Sequence, residues 1–509
     1  MSDISSPLLR ELRDSKVDAF LFEFNPLWYG TLLDFLLQLN STSPTRVFFA
    51  HRLPLKNLYR LRSSNLRWRY RKLQLFFRLT NQILLNLYYP LLLRKLSKSR
   101  FPNLEFYELR KKGVMNFKVK NLHTKSQSTI RCISNLDDIS VLESHVNPSL
   151  MEEFSLESDE EVSKKRFIKH QLSSAFVIEA LRHILGSSDA KYVVIMNGRT
   201  LHERITVEIT SENSKTAIAL DNNVYLSRIQ YFIESVLNLG YIKSVIEENW
   251  RQVSENRELI SSCHDYFTRR VKDKNLNPFL HLYSSQSKLL QESQSRESGD
   301  STRKFLFLTS SNDEMLQIQK FLGFDAVDQL EILRRFYQLN IEDLKNGSLE
   351  LTVRVHPNIR NKSKDIRGRY RDLNEFQLAK VYNYWSEINS YELLTSADCV
   401  FTTVSSMGCD AAYLKIPSFS FVPSMYTVLG ITNEINLNEL AIPNLRYFEY
   451  DSYHLQSLKF ANFQVNFGLE FKYFSPANLE FKYQEVSTIF SPAQPLFNFV
   501  SRIFEFQKS

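Results

Sequence analysis

His356 stands between Val353-Arg354-Val355 and Pro357-Asn358, a pattern in which a strand delivers an imidazole to a rigid turn. Arg354 precedes it and Arg360, Lys362, Lys364, Arg367, Arg369 and Arg371 follow, so this turn is a candidate anion site. Ser405 and Ser406 come directly before Met407-Gly408-Cys409-Asp410. Two hydroxyls there could cap a helix, or could hold a phosphate together with the helix's first N–H groups. The run Thr309, Ser310, Ser311, Asn312, Asp313 and Glu314 offers the same chemistry at the start of another helix. Earlier in the chain, Asn197-Gly198-Arg199 follows an apolar run, where glycine permits close approach and arginine could grip an anion. Glu23, just before Asn25-Pro26, is a carboxylate at the end of a first apolar run.

These positions imply the elements that carry them. Leu349–Val355, Cys399–Thr403, Ser418–Val422 and Lys304–Leu308 are short, rich in β-branched or aromatic residues and separated by helix-like segments, which predicts parallel strands with crossover helices. In such a sheet, ligands bind beyond the carboxyl ends of the strands. Val17–Phe24, the helical pattern Leu27–Leu39 and Thr45–Ala50 predict a β-α-β opening, and Lys191–Met196 predicts a buried strand. The spacing predicts helices over Val162–Leu185, Tyr225–Leu239, Ile242–Val271, Met315–Phe321 and Leu496–Phe506, with a loop-rich aromatic region after Val422. The expectation is an α/β protein of two Rossmann-like domains. Residues 1–290 form the first, 291–303 a polar linker, and 304–509 the second with an aromatic extension.

With 509 residues the chain is too long for one ordinary core. Its net charge of +8 favours an anionic partner. Much of that charge lies in a block at about 51–104, rich in Lys and Arg, interleaved with aromatics and free of Asp and Glu. Such a block could lie on an anionic membrane surface, or could pack its apolar face and solvate the other. The four cysteines, Cys132, Cys263, Cys399 and Cys409, have no metal-ligand or disulfide-framework spacing, so no metal is expected and a reducing cytoplasm fits. The N-terminus lacks the apolar core of a signal peptide. The uncharged run Leu79–Leu93 falls short of the roughly 20 apolar residues of a bilayer span.

No Walker A loop, GxGxxG, HExxH, GxSxG or kinase motif is present, nor an Asp-x-Asp that would carry a metal-bound nucleotide diphosphate. The set TSSNDE, RVHPN and SYELLTSADCVFTTVSSMGCDAAYLKIP resembles the C-terminal half of GT-B glycosyltransferases of the capsule and surface polysaccharide type. FEFNPLWYG and VVIMNGR resemble turns of the acceptor domain of the same group. The resemblance implies an inverting, metal-independent transferase that takes a CMP-, UDP- or GDP-sugar and a glycan or lipid-linked acceptor. It needs no cofactor and could be peripheral on the inner membrane face. It places Ser310, Ser311, Asn312, Arg354, His356, Pro357, Asn358, Ser405, Ser406 and Asp410 on the donor. Asn25, Asn197, Gly198 and Arg199 fall on the acceptor or phosphate side. Asp410 stands where the group usually has glutamate. Glu23, Asp313 and Glu314 are the candidate bases. The alternatives are a nucleotide-sugar 2-epimerase, against which the absence of a Gly-Gly-Glu-Glu run counts, and a non-catalytic polysaccharide or nucleic-acid binder.

Overall fold

The computed structural model describes residues 6–22, 26–39, 42, 44–50, 101, 103–111, 116–131, 177–198, 201–253, 256–272, 302–310, 328–361, 364–371, 373–435, 449–477, 480–483 and 486–489. The basic block at 51–100, the helices expected at Met315–Phe321 and Leu496–Phe506, and Glu23, Asn25, Arg199, Ser311, Asn312, Asp313 and Glu314 lie outside the described residues. Of the helix expected over Val162–Leu185, residues 177–185 are described, and they are helical.

Two sheets organise the chain. The first lobe begins with helix α1 (Pro7–Asp14), strand β1 (Val17–Leu21), helix α2 (Pro26–Leu39) and β2 (Thr45–Ala50). It continues through β3 (Leu104–Lys111), β4 (Asn116–Asn121), β5 (Gln127–Arg131) and β6 (Tyr192–Met196). Helix α3 (Leu201–Glu212), β7 (Thr216–Asn222), β8 (Arg228–Ile233), α4 (Leu239–Val253) and α5 (Arg257–Lys272) follow. The sheet order, with a later strand β15 (Leu469–Glu470) at one edge, is β15-β8-β7-β6-β1-β2-β3-β4-β5. Its centre, β7-β6-β1-β2-β3, is parallel. β1 and β6 are buried along their whole length; β6 reads as an unbroken apolar run, whereas β1 carries one charge, Asp18, which is paired with Arg46.

The second lobe is a parallel six-stranded sheet. Its strands are β9 (Arg303–Leu308), β10 (Leu349–Arg354), β11 (Ala379–Tyr382), β12 (Cys399–Thr402), β13 (Ser418–Ser420) and β14 (Asn433–Glu434), in the order β11-β10-β9-β12-β13-β14. Helices α6 (Gln329–Leu339), α7 (Ser390–Ser396) and α8 (Met407–Tyr413) belong to its crossovers. Asp328 and Asn389 cap α6 and α7 by accepting from the backbone N–H two residues on. Phe305, Phe307, Phe336, Phe401, Phe419 and Phe421 fill one face of the sheet with rings 4.6–6.4 Å apart. The fold is therefore α/β with two sheets rich in parallel pairs.

Three expectations need correction. Tyr225–Leu239 is not a helix: it contains β8, which pairs antiparallel with β7 and with β15. Its four central residues are all buried, so the alternation that marks a strand is hidden. Ile242–Val271 is two helices rather than one, with Asn256 starting the second by accepting from the N–H groups of Glu258 and Leu259. The region after Val422 is more regular than expected: it holds helix α9 (Tyr450–Asn466) and the small antiparallel sheet β16 (Phe474–Ser475), β17 (Glu480–Tyr483) and β18 (Val486–Ile489). This aromatic extension packs on the first lobe. Phe460, Phe463, Phe467 and Phe474 join its core, and α9 lies against α4, α5 and α8.

Candidate functional site

In the second sheet, β9 is flanked by β10 on one side and β12 on the other, so the strand order reverses between β9 and β12. A crevice opens at such a reversal, beyond the carboxyl ends of the two strands. Side-chain hydrogen bonds tie three neighbouring strand ends together there. Thr309, just past β9, accepts on its Oγ1 from the N–H of His356, just past β10 (2.8 Å). Ser310 Oγ accepts from Thr403 Oγ1 (3.0 Å) and from the Val404 N–H (3.3 Å), both just past β12. The Ser310 backbone is held in turn by the Gln329 amide, which also reaches Tyr370.

The His356 ring is fixed by its own turn. Nδ1 accepts from the Asn358 N–H (3.2 Å), and Pro357–Asn361 winds as a 3-10 turn behind it. Because Nδ1 is the acceptor, the proton of the neutral ring sits on Nε2, making that nitrogen a donor. Ser405 and Ser406 open α8. Ser405 Oγ accepts from the Met407 N–H (3.3 Å), whereas Ser406, at the N-cap position, makes no capping bond with its side chain. Gly408 is required for close packing here, since a Cβ would meet Thr432 at 2.9 Å and the Ser418 hydroxyl at 3.0 Å.

The remaining residues singled out in the sequence fall into separate places. Arg354 is buried. It donates to the carbonyls of Asn383 (2.7 Å) and Ser386 (3.2 Å) and to Ser390 Oγ (3.3 Å), and burial, with help from Arg360, lowers its pKa to about 10. It fixes a turn after β11 whose Trp385 is 57% exposed, with its ring 4.7 Å from that of Tyr384. Asp410 is 3% exposed, and its Oδ2 accepts from Arg270 Nη2 (3.0 Å) and Tyr391 OH (3.2 Å). Burial pushes its carboxyl up, with Arg270 and Tyr391 acting against that shift.

A second crevice lies in the first sheet between β1 and β6, where that strand order reverses. Asn197 and Gly198 form its β6 side, both with positive φ, 61° and 70°. At Gly198 a Cβ would fall 2.8 Å from the Glu234 carbonyl. Asn197 Nδ2 donates to Asp221 Oδ2 (3.2 Å), and its buried Oδ1 has no hydrogen-bond partner among the described residues. His202, from the first turn of α3, packs on Phe22 beyond β1 with ring centroids 5.7 Å apart.

Sequence reasoning missed Arg270, Tyr391 and Trp385. Arg270 is the second of two arginines near a helix end and lies 140 residues from Asp410, so no local pattern pairs them. An aromatic pair after an edge strand was the signal available for Trp385.

His454 of α9 sits where the lobes meet. Its Nδ1–H donates to the Tyr413 carbonyl (2.6 Å), its ring stacks on Tyr413, and His264 is 6.2 Å away. Burial lowers its pKa; the carbonyl acts the other way, while Lys415 and His264 lower it further. A histidine depressed in the folded state binds its proton more readily when unfolded. The stability it contributes is present above about pH 6.5 and is lost as pH falls through the folded value. His454→Gln should therefore flatten the dependence of melting temperature on pH between about 5 and 7. A variant with the full wild-type slope would show that the acid sensitivity arises elsewhere.

Two lobes with parallel-rich sheets, each with a strand reversal, give a two-lobed α/β fold of GT-B-like type. The chain belongs to the capsule polysaccharide biosynthesis protein family, whose pattern it matches over residues 192–467, from β6 through α9. No curated protein matches the sequence. Among solved structures it is similar to the beta Kdo 2,4 transferase KpsC of Thermosulfurimonas dismutans, at 16% identity and a TM-score of 0.34, over 53% of this chain and 78% of that one. It is also similar to the UDP-GlcNAc 2-epimerase of Methanocaldococcus jannaschii in complex with UDP-GlcNAc and UDP, at 10% identity and 0.26, over 66% and 82%. The MnaA–UDP structure from S. aureus matches at 9% identity and 0.28, over 88% and 94%. Likenesses this low carry no functional conclusion. Among the described residues, no cluster of His, Cys, Asp and Glu could hold a metal ion, and no helix is long and apolar enough to cross a membrane.

Proposed function

We propose that the protein is a glycosyltransferase that moves a sugar from a nucleotide-sugar donor to a surface glycan or lipid-linked acceptor, with inversion and without a metal. The observation that supports this reading is the joining of the turns after β9, β10 and β12 at the reversal of the second sheet, where the His356 N–H meets Thr309 and both Thr403 and Val404 meet Ser310, with Ser405 and Ser406 next in the chain. On this reading an imidazole N–H, hydroxyls and a helix start border one crevice. All are suited to an oxygen anion such as the donor's departing phosphate. Trp385 offers a flat apolar face two strands away, roughly 10 Å at the usual strand spacing. On this reading Ser311, Asn312 and Asn358 complete the donor side. Asn197, Gly198, Arg199 and Asn25 border the acceptor, with Glu23, Asp313 or Glu314 taking the acceptor's hydroxyl proton.

The first test is binding. One of CMP, UDP or GDP should raise the melting temperature by several degrees, because a ligand at 100 times its Kd stabilises the native state by about 2.7 kcal/mol. The matching nucleotide sugar should then be consumed only when a glycan acceptor is present. Consumption without acceptor, with the sugar epimerised, would replace the transferase reading by an isomerase. No shift with any nucleotide would overturn both.

A further inference from the structure

The start of α8 in the second lobe, which follows the β12 turn, is reached by a side chain from the first lobe. Arg270, in the last turn of α5, donates from Nη2 to Ser406 Oγ and to Asp410 Oδ2, each at 3.0 Å. Nη1 donates to Tyr266 OH (3.0 Å), and the guanidinium lies over the Tyr266 ring at 5.5 Å. Asp410 is held on its other side by Tyr391 from α7. The bridge therefore ties α5 of one lobe to α7 and α8 of the other.

Two details set this bridge apart from an ordinary buried ion pair. Arg270 Nε is buried and has no acceptor among the described residues, so the guanidinium is placed to serve its Nη contacts at the expense of its Nε donor. Ser406 stands at the N-cap of α8, and yet its side chain caps nothing. Its oxygen accepts from Arg270, and a hydroxyl oxygen that accepts a charge-assisted hydrogen bond directs its own proton elsewhere.

We propose that Arg270 is a positioning residue for the donor phosphate: by donating to Ser406 Oγ it fixes that hydroxyl as a hydrogen-bond donor toward the crevice between β9 and β12. Asp410 neutralises the arginine and sets its angle, and so acts through it rather than on the ligand. Because Arg270 comes from the first lobe, the second lobe's site is complete only while the two lobes are docked. The inference rests on the nucleotide reading above.

The experiment must separate positioning from stability. Arg270→Met alone leaves Asp410 buried without its cation and should lower the melting temperature. Arg270→Met/Asp410→Leu removes both charges and should recover most of it, as apolar replacement of buried ion pairs does. Affinity for the nucleotide that wild type binds, measured by calorimetry, should nevertheless fall about 10-fold or more in the double variant. Ser406→Ala should produce a similar loss, and adding it to the double variant should cost no more than about twofold further, since coupled residues are not additive. Arg270→Lys keeps a charge for Asp410 but lacks the fork, so it should fold and still bind more weakly. A double variant with wild-type affinity, or an undiminished Ser406→Ala effect in the double background, overturns the proposal. Should the double variant not fold, Arg270→Lys with wild-type affinity does so instead. If wild type binds none of CMP, UDP and GDP, the nucleotide reading falls and this inference with it.

Discussion

His356→Ala should lower sugar transfer by about 100- to 1,000-fold, the scale on which enzymes lose activity when one donor to a developing oxyanion is removed. On the proposed reading the Nε2 proton faces charge that grows on the leaving phosphate. The loss should therefore appear mainly in kcat, with a smaller change in KM. Alanine also removes the acceptor for the Asn358 N–H and loosens the turn, which would cost about 1 kcal/mol. His356→Asn resolves the ambiguity. Its side-chain oxygen can accept from the N–H two residues on, as asparagine does in turns, so the cap survives while the Nε2 proton does not. The expected result is a melting temperature within about 2 °C of wild type and turnover as low as in the alanine variant. Normal turnover by His356→Asn would mean that the histidine serves the turn alone.

The same turn shows what could be read in the sequence. A β-branched run followed by His-Pro-Asn specifies a strand end and a rigid corner with local information only, and β10 ends at Arg354 with the corner at Pro357–Asn361. The parallel strands β1, β2, β6, β9, β10 and β12 were legible for a related reason: central parallel strands are largely buried, so they form short runs dominated by apolar residues, wholly so in β6 and with polar residues within or at the ends of the others. Where a strand's setting was less simple the signal failed. β8 carries Arg228 and Gln230 among apolar residues, and its Gln230 amide is buried against the Phe463 carbonyl of α9. Only the packed structure shows why a glutamine sits inside. Helix α9 has the mixed composition of YDSYHLQSLKFANFQVN because it lies between lobes and buries residues on several sides. No single apolar stripe marks it. The candidate site divides in the same way. Hydroxyls and an imidazole at strand ends could be found by position, whereas the bridge from Arg270 to Asp410 joins residues with no sequence relation.

Asp34→Ala should cost about 3 kcal/mol of stability. Asp34 lies on α2 with no solvent exposure, and its Oδ2 accepts the backbone N–H groups of Lys472 (3.0 Å), Tyr473 (2.8 Å) and Phe474 (2.7 Å). One turn earlier on the same helix face is Gly30, whose missing Cβ leaves the space occupied by the Phe474 ring. Glycine and aspartate four residues apart thus dock the returning aromatic segment on α2. Alanine at 34 would strand three donors, each worth about 1–3 kcal/mol when buried without a partner; water can reach those of Lys472 and Tyr473 more easily, which keeps the total near the lower end. Asp34→Asn separates the acceptor from the charge. Burial pushes the Asp34 carboxyl up, with Gln38 and the three N–H groups acting against it, so part of the ion's benefit is offset at neutral pH. The asparagine variant keeps an acceptor oxygen and should lose only about 1 kcal/mol. A carboxyl raised in the folded state favours folding most below its unfolded pKa, and that advantage fades as pH rises through the folded value. The deficit of Asp34→Asn relative to wild type should therefore widen from pH 7 down to about 4. Denaturant titration of the three proteins at both pH values gives the numbers. Equal stability of wild type and Asp34→Ala would show that the N–H groups find other partners. α2 starts directly after the segment that carries Glu23 and Asn25, which the transferase reading assigns to the acceptor side. On the transferase reading, Asp34→Ala should then raise the KM for acceptor more than that for nucleotide sugar.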